Sequence, residues 1–193
     1  MTGTVYGVLG EDRSDKETIQ AILRNLKDDL NLVVHGRGFK GKGNLLNDGA
    51  RELRSLRERC GRFVICLDAD EENPDELRKR VETLIVHPAG VPLDCCIAVP
   101  VRAIEAWIMA DIDGALRFWK PHADWCPGEI KSPERLDDPK SELVRLSRQG
   151  QVRPRYNPPI HNPQIAGYLN QDRVAAKCPS FRPVRDFVQA GAP

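Results

Sequence analysis

The unbroken apolar run Phe63-Val64-Ile65-Cys66-Leu67 is the tightest constraint on how this chain can fold. A strand with one wet face alternates apolar and polar residues. A run without alternation suits a strand covered on both faces, as in a parallel sheet flanked by helices. The run ends in Asp68-Ala69-Asp70. Placing two acids at the mouth of a buried strand is costly, so their position asks for a reason.

Strand and helix signals alternate on either side of this run. Thr4–Leu9 reads as a first strand. Ser14 and Glu17 have the spacing of a capping box, and Ile19, Ile22, Leu23, Leu26 and Leu30 follow at helical period. Asn31–Gly36 reads as a second strand, then a glycine-rich basic loop, then a helix marked by Leu45, Leu46, Leu53 and Leu56. Arg62–Asp70 is the third strand. The next helix has Asn73 as cap, Pro74 at its first position and Asp75 and Glu76 in its first turn, with Leu77, Val81, Leu84 and Ile85 as its apolar face. Cys95–Val101 and Ala103–Asp111 give a fourth strand and helix. This order predicts a three-layer α/β core over residues 1–120, with a mainly parallel sheet of about four strands.

From Pro121 the composition changes. Prolines at 121, 127, 133, 139, 154, 158, 159 and 163 cut the chain into short pieces. Helices are expected over Ser141–Ser147, Gln164–Lys177 and Phe181–Gln189. Residues 121–193 therefore read as a helical, proline-rich extension packed on the core.

The chain has 193 residues, of which 40% are hydrophobic, enough for one medium domain. Its net charge of +1 gives no global attraction to polyanions, so any nucleic-acid site must be a local patch. No run of 18 apolar residues predicts a membrane span. No basic segment followed by an apolar core opens the chain, so no secretory signal is expected. None of the six cysteines forms a C-x-x-C pair, which argues against a zinc finger. They read as small buried hydrophobes in a reducing cytoplasm.

In open α/β sheets, sites form beyond the carboxyl ends of the strands. Glu11 ends the first strand, and Asp68 and Asp70 end the third. Their i, i+2 spacing points both aspartates to one side of an extended segment. If these strands are neighbours, three carboxylates meet at one edge and raise each other's pKa. Mg²⁺ (or Mn²⁺) resolves that conflict, because it takes hard oxygen ligands and keeps waters that can give way to phosphate. Asp15 is a further acid near the same edge, or only a complement to a helix dipole. Glu105, early on the fourth helix, is open to the same two readings.

These segments resemble a known family. Glutamate after the first strand in "GEDRSD" and Asp-x-Asp after the third in "ICLDAD" are similar to the Toprim domain of topoisomerases, primases and overcoming-lysogenization-defect nucleases. "VPVRAIEAWIMADI" resembles the Glu-x-Trp segment of small stand-alone Toprim-like proteins, and "KCPSFRPVRDFV" their last helix. The usual signature has Gly after the glutamate, where this chain has Asp12. The resemblance implies a Rossmann-like Toprim fold. It implies general acid/base or metal-binding work for Glu11, and Mg²⁺ binding by Asp68 and Asp70, with Asp15 and Glu105 as further site acids. It also implies an ABC-type ATPase partner in a bacterial defence locus.

His35, Arg37, Lys40 and Lys42 stand among Gly36, Gly38, Gly41 and Gly43 at the end of the second strand, which suits a backbone clamp on nucleic acid. Arg145, Arg148, Arg153 and Arg155 make a second basic zone. His87, His122 and His161 show no ligand spacing, and Trp107 reads as core packing. The leading expectation is a cytoplasmic, metal-dependent nuclease acting on DNA or RNA, with which a homodimer is compatible. Its rival is a non-catalytic regulatory subunit that docks on an ATPase. A topoisomerase would need a tyrosine nucleophile on a further domain, and a primase its zinc module.

Overall fold

The computed structural model describes residues 4–119, 128–148 and 155–190. Four parallel strands form the central sheet in the order β2-β1-β3-β4. They are β1 (Tyr6–Gly10), β2 (Val34–Gly38), β3 (Arg62–Cys66) and β4 (Cys95–Ala98). Gly10 pairs with Gly38 on one side and with Cys66 on the other, so β1 and β3 end level with each other.

The apolar run of β3 works as its pattern predicts. Val64 and Cys66 enter one core with Tyr6, Val8, Cys96 and Ala98. Phe63, Ile65 and Leu67 enter the other with Leu9, Ile97 and Val99. Each such side chain contributes about 1.5–3 kcal/mol on burial, which is why both faces of the strand are apolar.

Helices α1 (Arg13–Lys27) and α2 (Lys42–Leu56) cover opposite faces. α1 supplies Ile19, Ile22 and Leu23 to the first core, and α2 supplies Leu45, Leu53 and Leu56 to the second. α3 (Pro74–Val81) joins α2 and starts as expected: the Asn73 side chain accepts from the backbone N–H groups of Asp75 and Glu76. It runs through a π-helical turn at Glu82–Val86 into α4 (His87–Ala89), which stops at Gly90 in the left-handed region.

After β4 come α5 (Glu105–Ala110), α6 (Ile112–Trp119), α7 (Pro139–Ser147), α8 (Pro158–Ala166), α9 (Gln171–Lys177) and α10 (Arg182–Gln189). Leu143, Tyr156, Ile165, Val174, Phe181 and Val188 from this region are buried in the same core as α1. The extension therefore finishes one face of the sheet. Trp107 is fully buried, edge-on to Phe181, with its indole N–H donated to Ser180 Oγ.

Several boundaries differ from expectation. The capping box of α1 is Asp12 with Asp15, not Ser14 with Glu17, since Asp12 has the extended backbone of a cap and Ser14 is already inside the helix. β2 starts and ends later than Asn31–Gly36, so Gly36, Arg37 and Gly38 are strand residues. Both glycines serve close approach: a Cβ at Gly36 would stand 1.9 Å from the Val8 carbonyl oxygen, and one at Gly38 2.3 Å from that of Asp12. The helix expected over Gln164–Lys177 is two helices, with Asn170 capping the second. α6 was not expected at all.

Candidate functional site

Strand order places the site. From β1 the chain goes outward to β2, returns across β1 to β3, and continues outward to β4. The connections diverge between β1 and β3, and the crevice at such a point is where open α/β sheets bind ligands. Glu11 leaves β1 and Asp68 follows β3 at this point. They touch: Glu11 Oε1 accepts the Asp68 backbone N–H at 2.9 Å.

A pocket of about 490 Å³ opens here, lined by Glu11, Asp15, Asp68, Asp70 and Glu105. All five acids expected from the sequence are thus on one cavity. Asp15 faces it from the first turn of α1, where Asp12 caps the helix. Asp68 Oδ1 accepts the Ile104 backbone N–H at 3.1 Å, which ties the end of β3 to the entry of α5. Glu105 follows immediately, only 4% exposed.

The electrostatics are those of crowded acids. Burial, then the charges of Asp12, Glu11 and Glu105, push the Asp15 carboxyl up to about 7. Burial, then Asp15, Glu105, Glu11 and Asp70, hold Asp68 well above the usual carboxylate range. Glu11 is raised by burial, a rise that Lys42 opposes. Desolvation and like charge act together here, and neither is met by enough nearby cation.

Asp70 departs from the expected geometry. β3 ends at Cys66, so the alternation of an extended strand does not carry through to residue 70. Asp70 has φ 54°, a left-handed conformation that aspartate tolerates. Its exposed carboxylate accepts from Lys42 Nζ at 2.8 Å, and the same ammonium reaches Glu72 at 3.0 Å. Asp68 and Asp70 share the pocket but do not point alike.

The basic loop is also rearranged. With β2 running to Gly38, only Phe39–Gly41 remains as loop, and Lys42 opens α2. Lys42 is turned into the acid edge, its side chain 18% exposed. Arg37 pairs with Glu52 and lies over the Phe39 ring. Lys40 is exposed. In the second basic zone Arg145 pairs with Glu142, and Arg153 lies outside the described residues.

Three features of the pocket were not foreseen. Arg102 lines it, donating to the Asp70 carbonyl oxygen at 3.2 Å. Lys140 lines it from α7. Asn162 lines it from α8 and donates to Glu105 Oε1 at 3.0 Å. Asn162 lies 57 positions from Glu105, and nothing in either segment signals the pairing.

The pocket is rich in hard oxygen donors and holds neither histidine nor cysteine, a donor set that fits Mg²⁺ or Mn²⁺. The carboxylates stand apart: among the described residues no three acid, histidine or cysteine side chains are gathered closely enough to grip an ion.

A family model described as a domain of unknown function, DUF4276, matches residues 11–189. The chain belongs to that family. The DUF4276 match takes in both the acids after β1 and the α8 residues that close the pocket. No curated protein and no solved structure matches the chain. Among the described residues of this DUF4276 protein, no helix is long and apolar enough to cross a membrane.

Proposed function

We propose that this DUF4276 protein is a metal-dependent nuclease that hydrolyses phosphodiesters of DNA or RNA, with its active site in the acidic pocket between β1 and β3. The observation that carries the reading is that all five expected acids lie on one pocket, with Asp15 and Asp68 raised in pKa by burial and by neighbouring acids. Such a site is poised for a cation that would neutralise it. Glu11, Asp15, Asp68 and Glu105 would hold a divalent ion, with Asp70 at the rim of the same pocket. Bound there, Mg²⁺ or Mn²⁺ would stabilise the charge that develops on the phosphoryl oxygens during in-line displacement.

The chain's own groups supply the rest. Glu11, fixed by the Asp68 N–H, is placed to take a proton from an attacking water. Arg102 and Lys140 put positive charge on the pocket wall, suited to a phosphate of the substrate. Lys40, exposed beside β2, is free to meet the polyanion backbone. The resemblance to Toprim proteins supports this chemistry and extends the proposal to an ABC-type ATPase partner in defence. The five described free cysteines support a cytoplasmic setting, where they would stay reduced.

One observation favours the rival reading, a regulatory subunit without turnover. Lys42 already binds Asp70 and Glu72, so part of the acid edge has an internal counterion. The deciding experiment incubates the protein with plasmid, single-stranded DNA and tRNA, with EDTA, Mg²⁺ or Mn²⁺. Metal-dependent cleavage that is lost in Asp68→Asn supports the nuclease. Cleavage undiminished in both Asp68→Asn and Asp70→Asn overturns the site. No cleavage, with metal still bound, favours the subunit.

A further inference from the structure

We propose that Asn162, itself ordered by Tyr156, is a positioning residue that sets the Glu105 carboxylate for metal binding, so that α8 completes the site begun by the sheet. The role rests on the metal-dependent reading above.

Three side chains from distant parts of the chain form a buried line. Glu105 is 4% exposed, Asn162 1% and Tyr156 4%. Asn162 Nδ2 donates to Glu105 Oε1, and the Tyr156 hydroxyl meets Asn162 Oδ1. The line has one consistent direction. An ionised carboxylate only accepts, so the amide must present its N–H₂ to Glu105. Its carbonyl oxygen then faces Tyr156, which must donate. Turning the amide over would set its oxygen against the Glu105 carboxylate, whereas the Tyr156 hydroxyl can either donate or accept. The Glu105 carboxylate therefore sets which way the amide faces, Tyr156 anchors the amide's oxygen end, and Asn162 fixes one oxygen of Glu105. The second oxygen is left for a ligand in the pocket.

The platform is held to the same helix that carries Asp15. Ser14 Oγ donates to the Pro158 carbonyl oxygen at the start of α8. Asn25 Nδ2 donates to the carbonyl oxygens of Ala166 and Leu169 at its end. α8 is thus pinned to α1 at both ends, with Asn162 between the pins. A fully buried position in a helix normally takes an apolar residue with good helix propensity. An amide there, aimed at a pocket acid, trades that preference for control of the carboxylate. Such outer partners of ligating groups typically alter metal affinity about 10–100-fold.

The test measures Mn²⁺ affinity on the full chain by electron paramagnetic resonance of the free ion, with thermal melts in EDTA alongside. Four proteins are compared: wild type, Asn162→Ala, Tyr156→Phe and Asn25→Ala. The last loosens α8 from α1 without touching Glu105, so it reports what mere destabilisation does. Asn162→Ala is expected to weaken Mn²⁺ binding roughly 10–100-fold, Tyr156→Phe to weaken it less, and Asn25→Ala to lower the melting temperature with affinity kept. Wild-type affinity in Asn162→Ala, or an equal loss in Asn25→Ala, overturns the positioning role while leaving the metal site intact. If Asn162→Ala does not fold, Tyr156→Phe decides: unchanged affinity there overturns the role. A wild type that binds no Mn²⁺ overturns the metal reading and this role with it.

Discussion

Replacing Asp15 by asparagine should stabilise the metal-free protein, and should do so increasingly as pH rises. Asp15 sits in the first turn of α1, where a carboxylate normally helps the helix dipole. Here burial and the charges of Asp12, Glu11 and Glu105 outweigh that help and raise its pKa from 3.8 to about 7. A raised folded pKa means that the folded state prefers the protonated form. The stability it contributes is complete below about pH 4 and is lost as pH climbs through about 7. At 1.36 kcal/mol per pKa unit, the full loss is roughly 4 kcal/mol at most. Asparagine carries no such titration. It also keeps both arms of the cap: its backbone N–H still reaches Asp12 Oδ1, and its side-chain oxygen can still accept from the Asp12 N–H. Between pH 5 and pH 8 in EDTA, the variant's advantage should therefore widen by up to about 3 kcal/mol. At roughly 2–4 °C per kcal/mol for a chain of this size, the widening is several degrees in melting temperature. Divalent metal should shrink the gap, because binding adds about 2.7 kcal/mol to wild type at a hundredfold excess over Kd and less to the variant. Urea titrations or thermal melts at both pH values, with EDTA and with Mn²⁺, measure all of this. A gap that is the same at pH 5 and pH 8 would refute the claim that Asp15 is a crowded, desolvated acid.

Lys42→Met removes the ammonium that bridges Asp70 and Glu72; melts in EDTA should show a loss of about 1 kcal/mol, while calorimetry should show tighter Mn²⁺ binding once the internal counterion is gone. Lys40→Ala should weaken nucleic-acid binding and reduce the slope of log affinity against log salt by about 1, one lost phosphate contact; an unchanged slope in filter-binding titrations removes Lys40 from the interface. Asn73→Ala deletes the side chain that caps α3 through the Asp75 and Glu76 N–H groups. It should cost about 1 kcal/mol in a urea titration and leave Mn²⁺ affinity as in wild type, since the cap lies outside the pocket.

The parts legible in the sequence are those written in local pattern. The unbroken apolar run fixed β3 as an interior strand, because side chains that alternate between two covered faces must all be apolar. Asn73-Pro74-Asp75-Glu76 fixed the start of α3, because a cap, a preset φ and two acids all act within one turn. Asp12 was misread for a local reason too: Asp12 and Ser14 can each begin a capping box, with Asp15 and Glu17 respectively. The choice fell to Asp12, whose backbone is extended as a cap requires, while Ser14 already lies inside the helix. Gly36 and Gly38 looked like loop residues. In the fold they are strand residues without side chains, since Val8 and Asp12 backbone occupies the space a Cβ would need. Only the packed neighbours carry that information.

The same limit explains the site. The pocket acids could be gathered from the sequence because strand ends in a parallel sheet lie along one edge, whatever the details. Their individual environments could not. Asp70 leaves the line of β3 at a left-handed residue, so its carboxylate meets Lys42 while Asp68 holds the Ile104 N–H; spacing alone made them equivalent. Glu105 read as a helix-start acid or a site acid with equal ease. What separates the two readings is Asn162, brought in by a helix that folds back from the far end of the chain. A carboxylate merely complementing a helix dipole would be left to solvent, whereas this one is buried and bonded by an amide that a buried tyrosine anchors at its other end. The C-terminal region therefore does more than cover one face of the sheet: the residues that decide how Glu105 is presented come from it, and a truncation before α8 should take the α8 lining of the pocket and the Glu105 geometry away together.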